Sequence, residues 1–165
     1  MPEADRGTET VYTELHCVSL TSCVMIGDST DTTDSGGDTP LAASWNGTAF
    51  TELNAPQPAG VTEAELNDVS CTSAVRCIAV GDHGTDKSGT PAALAWNGSK
   101  WTLLKVAGPG TGKAAAFEAV SCPVSGKCMT TGTTGEADYS TGTPIAGYWN
   151  GRAWKYGPML PAAAA

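Results

Sequence analysis

The sequence is poor in positive charge, poor in histidine and without a long apolar run. Nine lysine and arginine residues stand against 17 aspartate and glutamate residues, which leaves a formal net charge of −8. Nucleic-acid binding depends on neutralising phosphates with basic side chains, so this balance argues against nucleic acid and against an anionic membrane surface. No apolar run approaches the roughly 18 residues that a membrane-spanning helix requires.

Catalytic motifs are equally scarce. The two histidines, His16 and His83, lie outside any nucleophile motif. A pair of carboxylates suited to glycoside hydrolysis would leave no local pattern, because only their spacing in the fold matters. We therefore assign no catalytic residue and no cofactor, and an enzyme is the least favoured class of function.

The chain does have six cysteines, in three pairs of equal spacing. Five residues separate the members of each pair, which are Cys17 and Cys23, Cys71 and Cys77, and Cys122 and Cys128. Zinc sites usually separate paired cysteines by roughly two to four residues, so local disulfides are the simpler interpretation. Because disulfides persist in oxidising compartments, we expect a mature or trimmed secreted protein in which Met1 replaces a removed leader.

The cysteine pairs belong to a longer pattern that occurs three times. The stretches LHCVSLTSCVMIGD, VSCTSAVRCIAVGD and VSCPVSGKCMTTGT begin at Leu15, Val69 and Val120. They align both cysteines and a following glycine, and the motifs SWNGTAF, AWNGSKW and YWNGRAW come later in each copy. The three tryptophans of these motifs lie 51 and 53 residues apart. A fixed period of this size predicts a repeat architecture.

Each copy predicts four short strands, because runs of five or six residues rich in β-formers lie between turn signals. The first strands are predicted at Tyr12–Cys17, Leu66–Cys71 and Phe117–Cys122, and the second at Cys23–Gly27, Cys77–Gly81 and Cys128–Gly132. The third strands are predicted at Leu41–Trp45, Ala92–Trp96 and Ile145–Trp149, and the fourth at Thr48–Leu53, Ser99–Leu104 and Arg152–Tyr156. We expect one all-β domain over residues 1–165, with units at about 12–56, 66–107 and 117–159.

The asparagine-glycine pair after each tryptophan predicts a tight hairpin. A two-residue type I′ loop needs positive φ at both positions, which this pair tolerates best. In that loop Trp45 would pair with Thr48, and Phe50 would lie on the same face as Trp45. The same arrangement is expected for Trp96 with Trp101 and for Trp149 with Trp154. Each motif would then place two aromatic rings side by side.

The pattern V-S-C-x5-C-x-x-x-G followed by A-x-W-N-G-x-x-W, seen best at residues 69–101, resembles a repeat of secreted actinobacterial proteins of the β-propeller type. The resemblance extends from Tyr12 to Tyr156 and implies propeller-like blades. Three blades do not close a propeller, which usually has roughly four to eight. The end blades would expose apolar faces, so we expect a homodimer of six blades or a part of a larger protein. A β-trefoil, which closes as a monomer, is the alternative fold.

Two groups of residues are candidates for binding. Aromatic rings stack on sugars, so Trp45, Trp96 and Trp149 are candidate ligand contacts, with packing between repeats as the competing interpretation. Asp28, Asp31 and Asp34 lie in the acidic stretch GDSTDTTDSGGD and are weak calcium candidates, because calcium takes several oxygen ligands. Their spacing matches no calcium-loop signature, so a solvated loop is the competing interpretation.

These expectations together favour a secreted, disulfide-stapled binding module with lectin-like carbohydrate recognition. Several weak and equivalent sites would gain avidity together. A structural or protein-interaction scaffold with no small-molecule site is the first alternative, and an enzyme on a propeller scaffold is the second. The expected partner is a glycan or a surface protein, with neither nucleic acid nor membrane involved.

Overall fold

The runs of β-branched and aromatic residues around each cysteine pair form antiparallel strands. The computed structural model describes residues 8–31, 37–84, 89–108, 110, 113–136 and 142–159, which contain twelve strands and no helix. The strands are β1 (Thr8–Ser19), β2 (Ser22–Asp31), β3 (Asp38–Trp45), β4 (Phe50–Asn54), β5 (Glu63–Ser73), β6 (Arg76–Gly84), β7 (Thr90–Trp96), β8 (Trp101–Leu103), β9 (Lys113–Val124), β10 (Lys127–Glu136), β11 (Gly142–Trp149) and β12 (Trp154–Pro158). Within those ranges nothing could cross a bilayer as a helix.

The strands form three separate sheets, each of four strands in chain order. The first sheet comprises β1–β4, the second β5–β8 and the third β9–β12, and none of the three closes on itself. The prediction of an all-β chain with three four-stranded units is confirmed. The first two strands of each sheet run longer than predicted, because β pairing continues past the cysteines and into the polar residues that follow the aligned glycine.

The aligned glycine of each unit lies opposite a β-bulge. Gly27 pairs with Tyr12 where the β1–β2 register shifts, and Gly81 and Gly132 take the same place in the other two sheets. A Cβ on Gly81 would lie 2.0 Å from the Glu65 carbonyl oxygen, a distance that no side chain tolerates. Close approach of the neighbouring strand therefore explains why each unit repeats a glycine there.

The loop after each tryptophan differs from the predicted two-residue turn. Trp45 pairs directly with Phe50, so four residues rather than two form the loop, and the expected pairing with Thr48 is wrong. The physical reason is the Asn46 side chain, whose Oδ1 accepts hydrogen bonds from the backbone N–H groups of Thr48 and Ala49 at 2.9 Å. These bonds stabilise a wider loop than a type I′ turn would allow.

The other two loops have the same geometry. Asn97 Oδ1 accepts from the N–H groups of Ser99 and Lys100, and Asn150 Oδ1 accepts from those of Arg152 and Ala153. The paired aromatics lie side by side in all three sheets, as predicted. The ring centroids are 4.6 Å apart for Trp45 and Phe50, 5.5 Å for Trp96 and Trp101, and 5.7 Å for Trp149 and Trp154.

The core lies between successive sheets. Strand β5 packs against β1, β2 and β3, and strand β9 packs against β5, β6 and β7. One buried cluster joins Val24, Ile26 and Ala42 of the first sheet to residues of the second that include Val69 and Trp101. A second cluster joins Ile78, Val80 and Ala93 of the second sheet to residues of the third that include Val120 and Trp154. The same contact is therefore made twice along the chain.

Candidate functional site

The cysteine pair, the tryptophan and the asparagine loop meet at one end of each sheet. Register places Cys77 opposite both Cys71 and Trp96, and Cys23 lies opposite Cys17 and Trp45 in the same way. In the third sheet Cys128 lies opposite Trp149, and the register shifts beside its pair with Cys122. The three predicted pairs lie at disulfide distance, with sulfur atoms 2.03, 2.03 and 2.08 Å apart. Such pairs are typical of extracellular proteins. They make this end of the molecule its most cross-linked part.

Two of the three tryptophans, Trp45 and Trp96, are fixed there by their indole nitrogens. Trp45 Nε1 donates to the Leu20 carbonyl oxygen at 3.1 Å, and Trp96 Nε1 donates to the Ala74 carbonyl oxygen at 3.1 Å. Each acceptor belongs to the turn that the neighbouring disulfide closes. The rings are therefore held in place before any ligand arrives, which lowers the entropic cost of binding.

A groove of about 180 Å³ lies between the second and third sheets at this end. Its lining includes Ser70, Thr72, Arg76, Trp96, Ser125 and Trp149. Two of the three predicted ligand residues thus border the groove. Trp149 packs on the second sheet, whereas Trp96 packs in the cluster between the first and second sheets and meets the groove only at its rim. The volume is below the roughly 300 to 1,000 Å³ of pockets for drug-sized molecules, so it suits one small ring or the end of a chain.

Hydroxyl groups and one guanidinium provide the polar character of this groove. Ser70 Oγ is buried and accepts a hydrogen bond from the Cys122 N–H at 3.0 Å. Arg76 is exposed at the mouth of the groove, and Thr72 is half-buried beside it. Polar side chains next to aromatic rings can bind sugar hydroxyls and the apolar face of a sugar ring at the same time.

The three tryptophans differ in how much of the ring solvent can reach. Trp96 and Trp149 are each 8% exposed, and each packs against a second buried tryptophan, Trp101 or Trp154. Trp45 is half-buried and packs on Phe50, which is 50% exposed. A ligand could therefore reach only an edge of Trp96 or Trp149, whereas the Trp45 and Phe50 pair presents more aromatic surface.

The inner member of each tryptophan pair lacks a hydrogen-bond partner. Trp101 Nε1 and Trp154 Nε1 are buried, and neither atom has an acceptor in the described part of the chain. Phe50 takes the equivalent position in the first sheet, where no donor has to be satisfied. These two indoles act as apolar surface, and their nitrogens are a cost to stability rather than a contribution.

A second, more open concavity of about 560 Å³ lies beside the last hairpin. Its lining includes Ala107, Gly108, Thr134, Trp154 and Tyr156. The Tyr156 hydroxyl donates to the Ala107 carbonyl oxygen at 2.7 Å, and burial raises the pKa of this phenol. That bond holds the segment after β8 against β12 of the third sheet. The concavity lies between this connecting segment and the last hairpin.

Carboxylates gather at the opposite end of the sheets from the disulfides. Partial burial and a hydrogen bond with Asp38 raise the pKa of Glu65 to about 7, and the charges of Asp82 and Asp28 act in the same direction. Burial, with the charge of Glu118 nearby, raises the pKa of Asp82 to about 6. These groups come from all three sheets, so the contacts between sheets create the cluster.

The calcium candidates fall partly within this region. Burial and the Asp38 charge raise the pKa of Asp28. Asp31 ends β2, and Asp34 lies outside the described residues. No set of three or more histidine, cysteine, aspartate or glutamate side chains in the described ranges is arranged to hold a metal ion. Calcium binding by these three aspartates stays a prediction.

Among the carboxyl groups with a raised pKa, the sequence pointed to Asp28 alone, as a calcium candidate, and not to Asp82 or Glu65. Asp28 and Asp82 both follow the aligned glycine, so the repeated Gly-Asp pair was a usable signal. Glu65 has no such signal, because its partner Asp38 belongs to another sheet. Ser70 and Arg76 were missed for the same reason, since only the packing of the third sheet on the second makes them part of a groove.

No protein-family model matches the chain, and no curated protein matches it in sequence.

Proposed function

We propose that the chain is a secreted carbohydrate-binding module built from propeller-like blades, with its sugar site in the groove between the second and third sheets. The observation that carries this proposal is the meeting of Trp96 and Trp149 with hydroxyl groups and Arg76 in one groove at the disulfide-linked end. The ligand class is a neutral or acidic glycan that presents a single terminal ring.

Two features support blades rather than a trefoil. Each sheet is a four-stranded meander complete in itself, and strand pairing links only strands within a sheet in the described part of the chain. Successive sheets also stack face to face, since β5 lies across the first sheet and β9 across the second. A trefoil would instead combine strands from all three units into one barrel.

The chemistry of the groove supports a sugar better than an apolar ligand. Aromatic edges supply surface for the C–H groups of a sugar, and Ser70, Thr72 and Ser125 supply hydroxyls. Arg76 can donate several hydrogen bonds to ring hydroxyls or to a carboxylate. The repeat also places Trp45 at the end of β3, at the position equivalent to Trp96 and Trp149 but more exposed, so more than one site can contribute to avidity.

The test combines a glycan array with nuclear magnetic resonance. Soluble oligosaccharides that score on the array are titrated into isotopically labelled protein, and the indole N–H signals are followed. The expected result is a shift of the Trp96 and Trp149 signals. Arg76→Ala should weaken binding about tenfold, which corresponds to one lost charged hydrogen bond. Lys105→Ala, an exposed charge outside the groove, is the matched control.

An array without hits, or shifts confined to other residues, would contradict the sugar site. The burial of Trp96 and Trp149 favours a second candidate function, a protein-interaction scaffold in which these rings serve packing alone. A tight protein partner captured without any glycan requirement would support that alternative.

A further inference from the structure

The chain contains two contacts between successive sheets, and each pairs the same two kinds of sheet face. One face of the first sheet and one face of the third take part in neither contact. We call the side of a sheet that meets the preceding sheet its front face, and the side that meets the following sheet its back face. The second sheet has both faces covered. The first sheet has no neighbour on its front face, and the third sheet has none on its back face within the described residues.

The front face of the first sheet carries apolar side chains at positions that are buried elsewhere. Leu15 is 56% exposed, whereas the equivalent Val69 and Val120 are 4% and 8% exposed. Phe50 is 50% exposed, whereas Trp101 and Trp154 at the same position are 4% and 6% exposed. The difference is the covering sheet, which the other two front faces have and this one lacks.

The back face of the third sheet shows the same contrast. Met129 is 49% exposed, whereas the equivalent Val24 and Ile78 are 5% and 9% exposed. Tyr148 lies beside it across the β10–β11 pair and is also exposed. The chain therefore presents one uncovered front face and one uncovered back face, which are the two partners of the contact already seen between its own sheets.

The contact between the second and third sheets includes a hydrogen bond, and the two uncovered faces carry the groups to form the same bond. Ser70, on β5, accepts a hydrogen bond from the Cys122 backbone N–H of the following sheet. Ser121 is the equivalent residue of the third sheet and is exposed. In the first sheet, the position equivalent to Cys122 is Cys17, which is also exposed. A first sheet packed on the back of a third sheet would bring the Cys17 N–H to the Ser121 hydroxyl.

We propose that two copies of this chain associate head to tail, with the front face of each first sheet packed on the back face of the other copy's third sheet. A front-to-back contact is heterologous, and it gives a closed assembly only if the rotation between units closes. Two chains of three sheets make a ring of six, within the usual size of closed propellers of roughly four to eight blades. The inference rests on the blade-like stacking proposed above and is independent of sugar binding.

The first experiment measures mass by light scattering and shape by small-angle X-ray scattering over a wide range of protein concentration. The expected result is a species of two 16.8 kDa chains with the compact profile of a ring. A monomer at every concentration would overturn the proposal, and so would open polymers that grow with concentration. Sugar binding measured on the same samples is a separate readout, so failure of the dimer and failure of the sugar site are distinguishable.

Charge substitutions on the two faces then test the orientation. Leu15→Glu on the front face and Met129→Lys on the back face alter exposed side chains, so each variant should fold. A head-to-tail dimer has two identical contacts, and either variant damages both. If each contact loses about tenfold in affinity, dimerisation weakens about 100-fold for each variant alone.

Mixing the two variants provides the decisive comparison. In the mixed dimer one contact is wild-type Leu15 against wild-type Met129, and the other pairs the new Glu with the new Lys. Dimerisation should therefore return to within about tenfold of the wild type. A dimer joined front face to front face, or back face to back face, would be weakened by only one of the two variants. Mixing the variants would then not restore the affinity of the weakened one. That result would overturn the head-to-tail orientation.

Leu20→Glu is the matched control for Leu15→Glu. Leu20 is 94% exposed in the β1–β2 turn. The equivalent residues Ala74 and Ser125 are exposed even though a preceding sheet covers their own front faces. Leu20 should therefore stay outside the contact, and Leu20→Glu should leave the dimer unchanged. Circular dichroism and thermal unfolding of each variant verify folding, so that a monomeric variant is not mistaken for an unfolded one.

Discussion

The carboxyl group of Glu65, on the second sheet, is hydrogen-bonded to the carboxyl group of Asp38, on the first. Two carboxyl groups share a hydrogen bond only when one of them carries a proton. Asp82 lies directly opposite Glu65 on the neighbouring strand, and its pKa is raised as well. The contact between the first two sheets thus contains a site that retains a proton at mildly acidic pH.

The stability of the fold should fall as the pH rises through this range. The pKa of Glu65 is about 7 in the folded chain against an ordinary value of 4.5, and that of Asp82 is about 6 against 3.8. Between the ordinary pKa and the folded-state pKa of each group, the folded chain binds more protons than the unfolded chain, so a higher pH favours unfolding. We expect a Tm a few degrees higher at about pH 5 than at about pH 8, measured at constant ionic strength.

Glu65→Gln separates the pH dependence caused by the Glu65 carboxyl group from that caused by charge repulsion throughout an acidic chain. The amide cannot ionise, so the fall in Tm between the two pH values should become smaller. Glu9→Gln removes the same charge from an exposed position on β1 and should keep the wild-type pH profile. Identical profiles for the two variants would show that the contact between Glu65 and Asp38 does not cause the pH dependence.

The two tryptophans of the second sheet should respond differently to the same substitution. Trp96→Phe and Trp101→Phe remove the same volume from two buried positions. Trp96 Nε1 loses a hydrogen bond to the Ala74 carbonyl, whereas Trp101 Nε1 has no partner to lose among the described residues. Trp96→Phe should therefore cost about 2 kcal/mol more in unfolding free energy than Trp101→Phe. Equal losses in denaturant titrations would show that the Trp101 nitrogen has a bonding partner after all.

The sequence predicted most of the architecture because it repeats. Equivalent cysteines, glycines and tryptophans predicted three four-stranded units, and each signal is local to one hairpin. The loop length was wrong because the Asn-Gly pair indicates a tight turn, while the reach of the Asn46 side chain to Thr48 and Ala49 is a three-dimensional property. Local pattern therefore predicted the elements better than their exact connections.

What could not be predicted lies between the sheets. Glu65 and Asp38, and likewise Ser70 and Cys122, become neighbours only through the stacking of separate units. No spacing along the chain indicates which strand of one sheet lies across the next. Exposed apolar faces on the end units were expected from the number of repeats, but no local pattern identifies Leu15 and Phe50 as their residues, since the same positions are buried in the other two units.

Gly98→Val should destabilise the fold through the loop backbone. Gly98 has φ of +93°, and a Cβ there would lie 2.6 Å from Val75 Cγ1. A β-branched residue is strained at positive φ, so we expect a loss of about 2 kcal/mol or more in unfolding free energy. Gly157→Ala is the control, because no atom of the described residues lies within 4 Å of its Cβ position. A Gly98→Val variant with wild-type Tm would mean that the loop has another conformation.

The disulfides of the first and second sheets should contribute unequally to stability. Cys17–Cys23 and Cys71–Cys77 both span six residues in sequence, so the cross-link itself should contribute about 2 kcal/mol in either case. Both sulfurs of the second pair lie in the core between sheets, whereas Cys17 is exposed. Replacing Cys71 and Cys77 together with alanine also opens a cavity, which should cost about 1 kcal/mol more than the same change at Cys17 and Cys23. Denaturant titration of the two double variants measures this difference. That difference is expected for the monomer. At concentrations where the chain dimerises, the head-to-tail ring covers Cys17 as well, so the two losses should become nearly equal. A difference that persists in the dimer would show that the front face of the first sheet stays uncovered.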